Sequence, residues 1–423
     1  LKYSPDMNLG EVLGIAVNSR GRIVILNHPG SGTTGPIYGN ASTQLFEFDG
    51  VTGKFVREIG KGVYGFGYAH SIRFDKYDNL WVVDKGTHSV MRFNPAGYVT
   101  LNLGRRPEGP DEPEWYKGNG LGRDNKPAPV HQDGYFRAPT DIAFDSDDNL
   151  YISDGYINSR VAKVDKDGNW IKQWGERGDK PGEFNTPHSI AADAQGRIYV
   201  ADRFNRRIQV FDGEGNFLRA ITIDAAFDPK TRPVIGNMVN PEAKSGTFAP
   251  GAPWAVCITP PPNQVLYASD AYPGRIYKLT LDGKLLGTIG SAGRQLKQFA
   301  WIHEIACPSE NTLWVAELLS WRGLLLWTDH EKSPRIQDWT VVFDDRVLRR
   351  RGRIHAERRF AGCRGVQRRP VGRSARHRGR QSRRQPRSLP GPVLRAAGVG
   401  NPPHRRVLHV LVPQGDHPPH REA

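Results

Sequence analysis

Apolar and polar residues alternate in short runs along most of the chain, and the runs recur as a unit. The cleanest copy is 186–211, TPHSIAADAQGRIYVADRFNRRIQVF: a run at 189–192, an Asp/Gly turn at 193–196, a second run at 197–201, a polar turn at 202–206 and a third run at 208–211. A period of two, in runs too short for an ordinary helix, predicts a β-meander. Further copies begin near residues 11, 69, 138, 252 and 301, which makes six. Several close with a fourth run ending on glycine, as in FVREIG (55–60), NWIKQWG (169–175) and KLLGTIG (284–290). Four strands per repeat, renewed every ~40 to 70 residues, predict an all-β chain folded as a six-bladed β-propeller rather than a sandwich.

Aligning the copies on Ile15, Ile72, Ile142, Ile190, Val256 and Ile305 places Leu13, His70, Thr140, His188, Trp254 and His303 two residues before them. Histidine falls in blades two, four and six. The first strand of each blade lines the central channel, so equivalent positions on alternate blades stand about 120° apart around one axis. Three imidazoles at one height match the three-His set of a catalytic zinc with an open fourth position. They lie 118 and 115 residues apart in sequence, so only a closed ring brings them together. The plainer reading is that each histidine lines the channel through ordinary hydrogen bonds.

The stretches PHSIAAD with VADRFNRRIQVF, SDGYINSRV (153–161) and AHSIRFD (69–75) resemble the peptidyl-α-hydroxyglycine α-amidating lyases, six-bladed propellers of NHL-repeat type, over about residues 11–322. The resemblance implies a zinc, or iron, at His70, His188 and His303, a tyrosine base at Tyr156 and a substrate-pocket arginine at Arg203. It also implies a structural calcium held by Glu304 and by the backbone carbonyls of Ile15 and Ile72. The implied reaction splits a peptidyl carbinolamide into a peptide amide and glyoxylate. A metal would acidify the hydroxyl as a Lewis acid. Tyr156 would take its proton if nearby positive charge lowers the phenol from its ordinary pKa of about 10. Arg203 would hold the carboxylate as a fork. Against these roles, Tyr272 sits at the same offset after Asp270 as Tyr156 after Asp154, and the Asp-turn-Arg stretches 154–160, 202–207 and 270–275 read as turn-stabilising networks. The chain also departs from the family. His28 stands where a second arginine is expected in blade one, and Ile157, Tyr199 and Val210 stand where animal members carry cysteines.

Composition separates the chain into two parts. Residues 346–423 hold 21 Arg, no Lys and three acidic residues, a charge of +18 that leaves 1–345 at −3. The expected domains are therefore a propeller over 1–345, with the course of blade six open after 322, and a tail over 346–423. Arg crowded with Pro, Gly, Ala and His and without Lys is what GC-rich DNA yields when translated out of frame. Such a segment builds no packed core, and whatever it attracts it attracts as a non-specific polyanion binder. A whole-protein case for nucleic-acid binding fails.

Cys257, Cys307 and Cys363 form neither a disulfide framework nor a thiolate zinc site by spacing. No signal pattern or membrane-spanning run is visible, and a secreted or periplasmic location is implied by the resemblance alone. The long polar connections 105–136 and 224–251 are candidates for the channel mouth or for solvated insertions. Runs at 324–327 and 339–343, or residues before Glu11, are available to complete blade six. Two functions follow: a metal-dependent lyase acting as a monomer on a peptide or small-molecule substrate, or a non-catalytic NHL-repeat propeller serving as a binding scaffold.

Overall fold

The computed structural model describes residues 9–29, 43–63, 65–104, 131–234, 236, 238–295, 297–318 and the strand Arg322–Trp327. Chain contacts separate a unit Leu1–Ala356 from Glu357–Ala423. The tail reading, the run 339–343, most of the connection 105–136 and the residues before Leu9 lie outside the described residues.

Among the described residues there are five four-stranded antiparallel sheets, one three-stranded sheet and a short parallel pair. The inner strands are Glu11–Val17, Ala69–Phe74, Asp141–Phe144, Pro187–Ala192, Ala255–Ile258 and Ile302–Ser309. Each leads outward through consecutive neighbours, as the repeat predicts. In blade six, Ile302–Ser309 pairs with Thr312–Glu317, which pairs with Arg322–Trp327. The Asp/Gly turn recurs: Asp193 Oδ1 accepts the N–H groups of Gln195 and Arg197, and Gly196 takes the left-handed conformation this turn requires (φ 75°).

The core consists of layers between adjacent blades. Leu13, Val24 and Leu26 of blade one pack on Ile72, Leu80 and Val82 of blade two. The same packing repeats from blade to blade and returns in a cluster that joins Trp314 and Ala316 of blade six to Ile15, Ile23, Ile25 and Phe48 of blade one. The ring therefore closes by side-chain packing between blades six and one. Second strands such as Leu80–Asp84, Leu150–Asp154 and Ile198–Asp202 are buried at every position because both of their faces meet a neighbouring blade.

One feature differs from the expectations raised by the sequence. Cys257 and Cys307 form a disulfide (S–S 2.01 Å). They lie on neighbouring inner strands, and this adjacency arises only when the ring assembles. Glu304, to which the resemblance assigns a calcium, is held here by groups of the chain. Ile15 N donates to Oε2 at 3.1 Å and Ile72 N lies 3.4 Å from both oxygens. The positive partner is a guanidinium. Arg73 reaches Glu304 Oε1 at 2.9 Å, Asp141 Oδ2 at 2.7 Å and the Ile305 carbonyl at 3.1 Å. It ties blades two, three and six together. Gly14 makes room for this arrangement, since a Cβ there would stand 2.5 Å from Glu304 Oε2.

Burial pushes the Glu304 carboxyl well above its ordinary range, Asp141 adds to this, and Arg73 opposes it. Replacing Arg73 by Met would leave two buried acids without their cation. The expected cost is about 3 kcal/mol, because one partner of a buried ion pair is lost. It is read as a lower urea midpoint.

Candidate metal and anion site

His70, His188 and His303 come together, buried, with ligand nitrogens within 4.8 Å of one another. Their ring centroids are 4.6, 4.8 and 5.1 Å apart. Each ring is oriented by the next blade. His70 Nδ1 lies 2.7 Å from the Thr140 carbonyl, His188 Nδ1 2.7 Å from that of Trp254 and His303 Nδ1 2.8 Å from that of Leu13. The acceptors are the residues at the same repeat position in blades three, five and one. A carbonyl can only accept, so Nδ1 carries the proton and the Nε2 lone pair is left for a ligand. Burial depresses all three imidazoles. Neighbouring positive charge adds to it, from Lys85 at His70 and His303 and from Arg203 at all three, and His303 is brought to about 3. The neutral ring is the metal-binding form. This donor set, with fixed tautomers, could hold a metal ion.

Tyr156 lies beside this triad. Its hydroxyl is 3.2 Å from His70 Nε2 and 3.3 Å from His188 Nε2. Burial alone would raise the phenol, but Lys85 and Arg203 outweigh it and the net direction is down. Tyr272, at the same repeat offset, instead donates to the Thr231 carbonyl at 3.0 Å and lies outside the cavity. Arg203 is buried, stacked over Trp254 (4.2 Å to the centroid), and its Nε and Nη1 have no hydrogen-bond partner. A buried guanidinium with unused donors is costly unless a ligand satisfies them.

His70, His303, Tyr156 and Arg203 line a cavity of about 240 Å³ walled by Tyr68, Phe248, Trp254 and Trp301. Thr247 and Phe248 come from the connection 224–251, which is anchored by Gly246 N–H to the Phe204 carbonyl and by Arg206 to the Pro250 and Ile223 carbonyls. Two larger depressions, lined in part by the ion-paired Arg57 and Arg206, hold none of the three histidines. The Asp-turn-Arg stretches form the expected networks. Asp154 binds Arg160 Nε at 2.9 Å, Asp202 binds Arg207 Nε at 2.8 Å, and Asp270 accepts the N–H groups of Gly274 and Arg275.

His28 is fully buried against Tyr68, with ring centroids 4.3 Å apart. Burial first, and the charge of Lys85 second, hold it at about 3, so it supplies no cation. The sequence reading passed over Lys85, whose Nζ lies 4.2 Å from the Tyr68 ring centroid and 4.7 Å from that of Tyr156. A signal was present: Lys85 follows Asp84 as Arg203 follows Asp202.

Because His28 and His303 stay neutral in the fold down to about pH 3, the unfolded chain binds more protons than the folded one between there and about 6.5. The sign is therefore loss of stability as pH falls through this window. The metal-free protein should lose up to ~1.4 kcal/mol per pH unit for each such histidine well below 6.5. Urea midpoints between pH 7 and 4 measure it, with His28→Gln reducing the slope by one proton.

A family model described as a six-bladed β-propeller (DUF5128) matches residues 137–231. The chain is 28% identical over 345 residues to peptidyl-glycine alpha-amidating monooxygenase A of Xenopus laevis, covering 74% of this chain and 31% of that protein. It is 26% identical over 319 residues to a probable peptidyl-alpha-hydroxyglycine alpha-amidating lyase of Caenorhabditis elegans, covering 66% and 85%. It is 34% identical over 149 residues to NHL repeat-containing protein 3 of Mus musculus, covering 34% and 38%. The chain spans about a third of the length of the Xenopus monooxygenases it matches. With propeller, repeats and homologues in agreement, the chain is a β-propeller of NHL-repeat type homologous to the peptidyl-α-hydroxyglycine α-amidating lyases.

Proposed function

We propose that the protein is a zinc-dependent carbon–nitrogen lyase that converts a peptidyl-α-hydroxyglycine into a peptide amide and glyoxylate. The observation that carries this reading is the set of three buried imidazoles whose Nδ1 atoms all face backbone carbonyls and whose ligand nitrogens lie within 4.8 Å of one another. A scaffold has no need of such an arrangement. His70, His188 and His303 would hold the ion. Bound there, zinc supplies Lewis acidity that makes a substrate hydroxyl easier to deprotonate.

The chain's own residues do the rest. The carbinol O–H proton passes to Tyr156, whose phenol is held down in pKa by Lys85 and Arg203 despite its burial. As the C=O bond forms, the C–N bond breaks with its electron pair going to nitrogen, which takes up a proton, so atoms balance without a co-substrate. Arg203 offers its unused N–H donors to the carboxylate, held in place by its stacking on Trp254. The aromatic wall gives these charged groups a low-dielectric surrounding that strengthens their interaction with a bound anion. The Cys257–Cys307 disulfide supports an oxidising compartment, and with it secretion or a periplasmic location.

The buried, neutral His28 favours a second reading, a binding propeller without turnover. Glyoxylate release from N-benzoyl-α-hydroxyglycine, corrected for spontaneous breakdown, separates the two. The lyase reading expects release by the zinc-loaded protein, its loss in His188→Ala, and a kcat about a hundredfold lower or less in Tyr156→Phe. A folded, zinc-loaded protein that releases no glyoxylate above background would leave the binding propeller.

A further inference from the structure

The cavity repeats a second position of the propeller besides the histidines. In blades two, four and six the second strand ends on a buried acid, Asp84, Asp202 and Glu317, and the next residue is Lys85, Arg203 and Leu318. All three of these residues line the cavity. The buried acids hold the backbone there. Asp84 accepts the N–H groups of Gly67, Tyr68, Gly86 and Thr87, and Asp202 accepts that of Asn185 together with the side chains of Asn205 and Arg207. Lys85 and Arg203 therefore leave equivalent, well-anchored turns and converge on the same phenol, at 4.7 and 5.6 Å from the Tyr156 ring centroid.

The cavity lining contains these two cations and no carboxylate. Among the described residues Lys85 makes no ion pair, its ammonium resting on the faces of Tyr68 and Tyr156, while Arg203 keeps the N–H donors of Nε and Nη1 unused. Two positive groups in an aromatic pocket without an internal counter-ion call for an anionic ligand. The resemblance to the amidating lyases leads one to expect a second cation from blade one. His28 stands there, buried and directed at Tyr68 on whose ring Lys85 rests.

Resting on the reading of this cavity as a substrate site, we propose that Lys85 is a substrate-binding residue: the second arm of a two-cation cradle for a small carboxylate, replacing the blade-one arginine that this chain lacks. It follows that the ligand class is an α-hydroxy or α-oxo monocarboxylate, with the carboxylate toward Lys85 and Arg203 and the neighbouring oxygen toward the three histidines. The cradle is built from blades two and four, so the loss at blade one leaves the pocket its charge.

Two measurements on the zinc-loaded full chain test this, with Lys85→Met as the neutral variant and Lys85→Arg as the conservative one. The first is glyoxylate binding, followed by the fluorescence of Trp254 and Trp301 at the cavity wall. Lys85→Met should raise the Kd at least tenfold and Lys85→Arg should restore it to within a few-fold. Equal affinity in a folded Lys85→Met protein, or no glyoxylate binding by the unmodified protein, overturns the proposal. The second is the ratio of kcat/KM for N-benzoyl-α-hydroxyglycine to that for its methyl ester. Lys85→Met should lower this ratio at least tenfold, chiefly through KM, which a merely structural lysine would not do. Turnover with an unchanged ratio keeps the lyase reading and rejects the role of Lys85. Lys85-dependent glyoxylate binding without turnover does the reverse. Should Lys85→Met fail to melt cooperatively, Lys85→Gln replaces it in both measurements.

Discussion

The hydrogen bond from each axial imidazole to the next blade is the interaction on which the site depends. His70, His188 and His303 each use Nδ1 to reach a backbone carbonyl at the equivalent position one blade further on. This single contact selects the tautomer, aims Nε2 at the axis and couples the site to ring closure. The third bond makes the coupling plain, because its partners, His303 and Leu13, are 290 residues apart and meet only where blade six packs on blade one. A metal centre built this way has no local sequence motif. It exists to the extent that the ring is closed.

Below the histidines the same ring is tied by charge, and within the cavity it is charged for a ligand. Arg73 bridges Asp141 and Glu304 with a guanidinium belonging to the chain. In the cavity the balance is reversed, since Lys85 and Arg203 face Tyr156 without an acid among the lining residues. Buried carboxylates are present nearby, but Asp84 and Asp202 are spent on backbone N–H groups and turn side chains. The acids therefore organise the loops while the cations remain available. That division of labour separates stability from binding at adjacent positions in the sequence.

Much of this was legible in the sequence, and the part that was not has a common cause. The repeat pattern led to the blades, and the alignment on Ile15 through Ile305 led to the three histidines, because a period of two and a constant register survive translation into strands. Tyr156 and Tyr272 could not be told apart by offset. They differ in what the neighbouring blades place against them: Lys85 and Arg203 for one, the Thr231 carbonyl for the other. The Cys257–Cys307 bond and the Arg73 bridge were missed for one reason. Each joins residues on different blades, and spacing along the chain carries no record of which side of a strand meets which other blade. For Lys85 the alignment that found the histidines would have sufficed had it been carried to the residue after each second-strand acid.

X-ray absorption at the zinc edge, on the protein loaded with one equivalent of zinc, tests the central claim most directly. The account predicts three nitrogen neighbours at about 2.0–2.1 Å with the outer-shell scattering of imidazole, and loss of that signature in His303→Ala. A bound zinc with a sulfur or all-oxygen shell, or a spectrum unchanged by removal of His303, would contradict it.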